Sequence, residues 1–338
     1  MKKSDKASAG ASRVAETSSA VMDIAARLQS GDRFALARAI TLVESTLEND
    51  QNLADQLLNE LLPRSGKSVR IGVSGVPGVG KSSFIEKMGL SMLAEGRRIA
   101  VLAVDPSSPI SGGSIMGDKT RMEEIARDDR VFVRPSPSSG NLGGVGRRTR
   151  EAIVLCEAAG FDTIIVETVG VGQSEFVVAS MVDVFLALQL PGAGDELQGI
   201  KKGILELADI VAITKADGDL LTAARLAKAE HDRALSLVRG HHDVKVLLTS
   251  SVLGDGIIAV RDTIGELISK ARSSGNYEER RKSQVLRWFR DEVGHLLHER
   301  AFSSGTWRKT LETWESAVVE GKVSAGSAAR RVISTVMP

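Results

Sequence analysis

Apolar residues recur along the chain in two different patterns. From Phe34 to Leu62 they recur at helical spacing, which predicts a pair of amphipathic helices. From Val69 onward, short β-branched runs alternate with longer helical stretches. Seven such runs occur: VRIGVSG, RIAVLAV, RVFVRP, FDTIIVET, DVFLALQL, DIVAIT and VKVLLTS. Buried strands that alternate with helices predict an α/β fold, with a mostly parallel central sheet flanked by helices on both faces.

The two ends of the chain follow other patterns. The first 20 residues are small, polar and unpatterned, which predicts a disordered tail. After about residue 272 no further strand is predicted, and one apolar stripe follows a long helix. The stripe fits either packing on the core or an oligomer interface, and consists of Val285, Trp288, Phe289, Val293, Leu296 and Leu297. We therefore expect a tail at 1–20, a helical extension at 21–66, an α/β domain at 67–272 and a C-terminal helical segment at 273–338.

Composition mainly excludes classes of function. Lys and Arg number 44 against 43 Asp and Glu, a net charge of +1, so neither nucleic acid nor a membrane surface is an expected partner. No apolar run approaches the roughly 18 residues of a membrane span. Cys156 is the single cysteine, which excludes an internal disulfide and a cysteine-cluster metal site. This cysteine usage favours a reducing compartment, and we expect a cytoplasmic protein.

The strongest chemical signal is the stretch GVPGVGKSS, which fits the pattern G-x-x-x-x-G-K-[ST]. It follows a predicted strand and opens a predicted helix, so backbone N–H groups converge where phosphates bind. The motif predicts that Lys81 contacts the β- and γ-phosphates and acts in catalysis, and that Ser82 binds Mg²⁺. The predicted phosphate site comprises Gly75, Val76, Pro77, Gly78, Val79, Gly80, Lys81, Ser82 and Ser83.

A second signal ends the predicted strand FDTIIVET, where apolar residues lead to a carboxylate. This is the Walker-B arrangement, and it predicts that Glu167 lies beside the metal ion as a second catalytic candidate. Most GTPases have Asp at this position. A strand that ends in a helix N-cap would have the same sequence. Gly170 follows at the position where a GTPase senses the γ-phosphate through its backbone N–H.

Two further signals concern the base. The stretch ITKAD resembles the guanine-reading motif N-K-x-D, which predicts that Lys215 lies along the base and that Asp217 accepts hydrogen bonds from guanine N1–H and N2–H₂. Adenine lacks this pair of donors, so a buried carboxylate rejects it. Thr214 replaces the usual Asn, which predicts a weaker preference for guanine.

The stretch LLTSSVLGDGI resembles the fifth GTPase motif, which supplies a backbone N–H to guanine O6. The candidate donors are Ser250, Ser251 and Val252. Four signals therefore occur in the order of a GTPase, each at the carboxyl end of a predicted strand, where open α/β sheets bind their ligands. The sequence predicts a Mg²⁺-dependent GTPase that holds GTP or GDP.

Four longer phrases are more specific than the P-loop: AVDPSSPISGGSIMGDKTRM, PSPSSGNLGGVGRRTRE, ETVGVGQSE and LQLPGAGDELQGIKKGILE. Together they resemble the MeaB family, P-loop GTPases that act as chaperones of adenosylcobalamin-dependent methylmalonyl-CoA mutase. The resemblance runs from about residue 25 to the end. It implies a homodimer joined through C-terminal helices that binds the mutase, couples GTP hydrolysis to cofactor delivery from the adenosyltransferase, and helps expel damaged cofactor. It also implies that the chain itself binds no cobalamin.

The resemblance assigns roles to further residues by position. Asp105 and Asp118 match acids of switch I near Mg²⁺, and Gln173 lies in switch II. From chemistry alone, Asp105 fits equally well as an N-cap before Pro106.

Residues 192–201 match a third switch of the family. Asp195, Gln198 and Lys201 are its candidates for transmitting the nucleotide state to the mutase. By composition alone, this segment is equally a plain surface loop.

Three other functions remain compatible with parts of the sequence. A small-molecule kinase or ATPase would need no guanine-reading motif. A GTPase for another acyl-CoA mutase would share every motif. A binding module that uses GTP only as a structural ligand would not hydrolyse it.

Overall fold

The computed structural model describes residues 19–104, 122–134, 142–168, 174–192, 203, 206–238, 244–303 and 305–336. The chain divides into two compact units, Met1–Arg281 and Lys282–Pro338. The division falls beyond the change of sequence pattern at about residue 272. Among the described residues, no helix is both long and apolar enough to cross a membrane.

From residue 19 onward, three α-helices and a short 3-10 helix, Leu62–Arg64, precede the first strand; the α-helices are α1 (19–29), α2 (Arg33–Glu44) and α3 (Glu48–Leu61). The hydrophobic pattern predicted a pair, and the additional helix is α1, which buries Leu28 completely. Residues 19 and 20 are helical, although the tail was expected to extend through residue 20. A carboxylate caps α2, because Oδ1 of Asp32 accepts hydrogen bonds from the N–H groups of the next turn.

The seven predicted strands are all present and form one sheet. They are β1 (Val69–Ser74), β2 (Ile99–Val104), β3 (Val131–Arg134), β4 (Thr163–Thr168), β5 (Val184–Gln189), β6 (Ile210–Ile213) and β7 (Lys245–Leu248). Their order is β3-β2-β4-β1-β5-β6-β7, and every pair is parallel. The predicted α/β fold is thus confirmed, with all seven carboxyl ends at one edge of the sheet.

Helices cover both faces of the sheet, as the buried strands require. Along the chain they are α4 (Lys81–Ala94), α5 (Glu123–Ala126), α6 (Leu142–Ala158), α7 (Ser174–Ala179), α8 (Leu221–Val238) and α9 (Ile257–Ser273). The apolar layer on one face contains residues of α1, α2, α3, α6, α7 and α8. The layer on the other face contains residues of α4, α5 and α9. Cys156 lies fully buried on α6, and burial raises the pKa of its thiol.

The last three helices are α10 (Asn276–Ser303), α11 (Gly305–Val319) and α12 (Ala325–Val336). The predicted apolar stripe on α10 is largely exposed, since Phe289 keeps 65% of its surface accessible and Val293 41%. Within its own unit, Lys282–Pro338, the stripe is therefore an apolar surface that is largely open to solvent. Between α11 and α12 lies an apolar groove of about 310 Å³, lined in part by Trp307, Trp314 and Val332.

A cluster of two buried carboxylates and two half-buried guanidinium groups fixes the beginning of α10 to the sheet. Arg70 donates to both carboxylate oxygens of Glu157, at 2.9 and 3.0 Å. Arg281 donates to both carboxylate oxygens of Asp183, at 2.5 and 2.6 Å. The backbone N–H of Arg70 also donates to Asp183, at 2.8 Å. Two carboxylates and two guanidinium groups thus neutralise each other at the edge opposite the strands' carboxyl ends.

Replacing Arg281 with Met is expected to lower the free energy of unfolding by about 3–5 kcal/mol, because Asp183 would remain as a buried carboxylate without its paired cation. Urea denaturation followed by circular dichroism measures this change. Arg272→Met is the matched control, since Arg272 also stacks on the Tyr277 ring but is exposed. Loss of that stacking alone should cost less than about 1 kcal/mol. Equal losses in the two variants would contradict the assignment.

Candidate nucleotide-binding site

The P-loop joins β1 to α4 at the centre of the sheet. Gly78 and Gly80 take positive φ angles of 78° and 98°, a conformation that side-chain-bearing residues rarely adopt. Gly75 is required for a different reason, since a Cβ there would lie 2.8 Å from the carbonyl oxygen of Leu188 on β5. The loop therefore turns tightly against the neighbouring strand. The N-terminus of α4 points into the space that the loop encloses.

The ammonium group of Lys81 reaches back over this loop. Its Nζ donates to the carbonyl oxygens of Gly75, at 2.7 Å, and Val76, at 3.3 Å. The charge is thereby held above the loop, at the amino end of α4. Ser82 lies buried in the first turn of the same helix. A cation, a hydroxyl and a helix N-terminus converge here, which is the arrangement that binds phosphates.

Glu167 lies at the end of β4, on the strand next to β1. It pairs in register with Val73, and it is 95% buried. The next described helix begins at Ser174, too far along the chain for Glu167 to serve as its N-cap. Ser82, in the helix that follows β1, and Glu167, at the end of the neighbouring strand β4, offer hydroxyl and carboxylate oxygens. These are the hard ligands that Mg²⁺ prefers, so the residues present fit this ion.

Two residues that sequence reasoning missed connect these strands. The hydroxyl of Thr168, at the end of β4, donates to the hydroxyl of Ser74, at the end of β1, at 2.9 Å. Both side chains are fully buried. This bond ties the strand of Glu167 to the strand that enters the P-loop. The sequence did contain a signal for this pair, because each is a polar residue at the end of an apolar strand.

Thr214 connects the base motif to the P-loop. Its buried hydroxyl lies 2.8 Å from the carbonyl oxygen of Val79 and 3.2 Å from that of Gln189. A hydroxyl has one proton to donate, and the shorter distance favours Val79. The residue that departs from the usual Asn therefore links β6 to the phosphate loop.

The other base-motif residues lie in the turn that follows. Lys215 has a φ of 54°, the one positive value at a described residue other than glycine, which is typical of strained functional positions. Asp217 accepts a hydrogen bond from the hydroxyl of Ser250, which fixes its carboxylate. The backbone N–H of Ser250 donates to the backbone carbonyl oxygen of Asp255 at 2.9 Å, so it is already engaged. Of the predicted donors to guanine O6, Ser251 and Val252 remain.

Several predicted residues lie outside the described part of the chain. They are Asp105 and Asp118 of the proposed metal site, Gly170 and Gln173 of the second switch, and Asp195, Gln198 and Lys201 of the third switch.

Replacing Thr214 with Val is expected to lower the free energy of unfolding by about 1–3 kcal/mol, because a buried carbonyl of the P-loop loses its donor. GTP affinity should fall as well, since the loop loses its link to the base motif. Thr214→Ser keeps the hydroxyl and is the matched control. Urea denaturation and fluorescence titration with a labelled GTP analogue measure the two effects. A Val variant that matches the Ser variant in both would contradict the role.

Comparison with known proteins agrees with this geometry. The family model described as Methylmalonyl Co-A mutase-associated GTPase MeaB matches residues 36–306. A Caulobacter vibrioides protein named putative GTPase is 49% identical over 310 residues, which are 91% of this chain and 95% of that protein. The mouse protein named Methylmalonic aciduria type A homolog, mitochondrial, is 47% identical over 89% of this chain and 76% of its own length. A solved structure described as a LAO/AO transport system kinase has a TM-score of 0.76 and 35% identity, covering 95% of this chain and 98% of that one.

Proposed function

This chain belongs to the MeaB family of methylmalonyl-CoA mutase-associated GTPases, and from that premise we propose that it uses GTP binding and hydrolysis to serve such a mutase. The family resemblance inferred from the sequence phrases is thereby confirmed. The observation that carries the proposal is that the matched segment, 36–306, includes the P-loop, Glu167 and the base motif together. Membership of this family makes the chain a GTP hydrolase. The proposal is that a methylmalonyl-CoA mutase is the protein it serves.

The chain's own residues account for binding and positioning of GTP. The P-loop N–H groups and Lys81 would hold the phosphates and neutralise charge that develops during hydrolysis. Mg²⁺, when bound, would polarise the phosphate oxygens, with Ser82 and Glu167 as described ligand candidates and Asp105 and Asp118 as further ones. Asp217, fixed by its bond from Ser250, would read the guanine edge.

The proposed service to the mutase follows the family resemblance. The protein would gate delivery of adenosylcobalamin from the adenosyltransferase and help remove damaged cofactor, while binding no cobalamin itself. We also propose a cytoplasmic homodimer. The exposed stripe on α10 and the apolar groove between α11 and α12 support an interface in that region, because apolar surface of this extent is favoured at protein contacts.

Steady-state GTP hydrolysis with and without methylmalonyl-CoA mutase tests the proposal. We expect slow intrinsic turnover and marked stimulation by the mutase. Replacing Asp195, Gln198 or Lys201 with Ala should reduce the stimulation and leave intrinsic turnover in place, whereas Glu206→Ala, an exposed charge nearby in sequence, serves as the control. An unresponsive parent protein would reject the mutase as client. A parent that prefers ATP would favour the kinase alternative.

A further inference from the structure

We infer that Phe176, on the short helix α7, is the aromatic anchor by which this chain engages an apolar socket on the mutase. The inference rests on the function proposed above and assigns its docking surface. Helix α7 is the first described element that follows Glu167 along the chain. The Phe176 side chain keeps 56% of its surface exposed. A partner that holds this ring would therefore contact a helix that directly follows the predicted second switch.

Two sides of α7 are fixed to the GTPase unit. On α6, a Cβ at Gly146 would lie 2.8 Å from a methyl group of Val177. On β1, a Cβ at Gly72 would lie 2.9 Å from a methyl group of Val178. The missing side chains at both glycines thus let α7 approach the sheet and α6 closely. Close contact with the backbone of both neighbours prevents α7 from moving toward either of them. Side chains on the other side of α7 therefore project from a helix that is held in place.

A hydrogen bond reinforces this support at the end of the helix. The guanidinium group of Arg150 on α6 donates to the hydroxyl of Ser180 at 2.9 Å. That hydroxyl in turn donates to the carbonyl oxygen of Val177 at 2.6 Å. The backbone of α7 is therefore connected to α6 by polar contacts as well as by packing.

Phe176 projects from the side of α7 that remains. A Cβ placed on Gly203 would lie 3.5 Å from Cζ and 4.0 Å from Cε2 of its ring. The missing side chain at Gly203 thus leaves open space beside the ring, and more than half of the Phe176 side chain faces solvent. An aromatic ring has few rotatable bonds, and this one projects from a helix held by packing and hydrogen bonds, so it loses little conformational freedom on binding, which is the property of an interface anchor.

Comparison with the other exposed apolar residues favours this surface. Within the described part of the unit Met1–Arg281, the exposed aromatic side chains are Phe34 and Phe176. Phe34 belongs to the N-terminal helix α2. Phe176 instead follows the strand that ends near Glu167 and precedes Gly203 along the chain. Gly203 comes just after the predicted third switch. Binding hot spots are enriched in aromatic residues with ordered surroundings. Along the chain, Phe176 therefore lies shortly after the predicted second switch and before the predicted third switch. A partner that contacts this ring would bind close in sequence to both segments.

The test compares Phe176→Ala with the parent protein in two measurements: affinity for methylmalonyl-CoA mutase by calorimetry, and GTP hydrolysis with and without the mutase. We expect affinity to fall about thirtyfold, the effect of losing one hot-spot aromatic residue. Stimulation by the mutase should fall with it, while intrinsic hydrolysis and GTP affinity stay at parental values. Phe176→Leu, which keeps an apolar side chain, should recover part of the affinity.

Phe34→Ala is the matched control, because it removes an equally apolar and more exposed ring from another helix. If the parent responds to the mutase and Phe176→Ala responds equally, the inference is overturned and the proposed function stands. If Phe34→Ala loses as much affinity as Phe176→Ala, the anchor assignment also fails. Loss of intrinsic hydrolysis in Phe176→Ala would assign the ring to the nucleotide site instead. A parent that neither binds nor responds to the mutase would overturn both proposals.

Discussion

Asp217→Asn is expected to switch the base preference of the protein from guanine nucleotides to xanthine nucleotides. The Asp217 carboxylate is held by the Ser250 hydroxyl, so it is ready to accept from two guanine donors. An Asn at this position presents an amide N–H₂ instead, which pairs with the second carbonyl oxygen of xanthine. We expect the ratio of GTP to XTP affinity to fall by about 10⁴-fold, the scale of discrimination at sites built on hydrogen bonds.

Competition titrations with GTP, XTP and ATP measure this exchange. Asp219→Asn is the matched control, because it makes the same chemical change at an exposed position in the next turn. It should leave the preference for GTP in place. A retained preference for GTP in Asp217→Asn would show that another group reads the base. Equal binding of ATP by the parent would remove the argument for a GTPase.

Lys81→Ala should lower GTP affinity by about 10²–10³-fold, because a charged donor in a partly buried phosphate site is removed. The ammonium group already lies over the loop, so its loss removes a positioned charge and its contacts with the loop carbonyls. Calorimetric titration with a slowly hydrolysed GTP analogue measures the change.

Lys87→Ala is the control for this substitution, since Lys87 lies on the same helix and pairs with Glu124 at 3.6 Å. It should bind GTP like the parent. Thermal denaturation of both variants separates loss of binding from loss of folding. An affinity in Lys81→Ala within a few-fold of the control would contradict the assigned role.

Much of the fold was predictable because its signals are local. Each strand is a short buried run, and the P-loop is read within nine consecutive residues. Helix α1 shows the limit of this reading. Val21, Ile24 and Leu28 have helical spacing and are buried, but they follow directly on an unpatterned polar segment. The apolar stripe of α10 was ambiguous for another reason, since periodicity identifies a face without identifying what covers it.

The connections within the site were not predictable, because they join residues far apart in sequence. Thr214 meets the carbonyl of Val79 across 135 positions, and Thr168 meets Ser74 across 94. Such pairs depend on strand order, and a sequence that predicts a parallel sheet does not give that order. For Thr214, the type of residue suggested a weakened base contact. The fold adds that its hydroxyl donates to the phosphate loop, while the weaker preference for guanine stays a prediction.

The buried thiol of Cys156 makes opening of the native structure directly measurable. The side chain lies on α6, in the same apolar layer as residues of the N-terminal helices α2 and α3. A thiol reagent reacts with an accessible thiolate. In the closed structure the Cys156 thiol is buried, and burial raises its pKa, so it stays protonated and does not react. Because the chain contains no second cysteine, modification of the protein reports the exposure of this one site. When the layer closes faster than the reagent reacts, the rate of modification reports the population of molecules in which the layer is open, and whether GTP or the mutase changes that population.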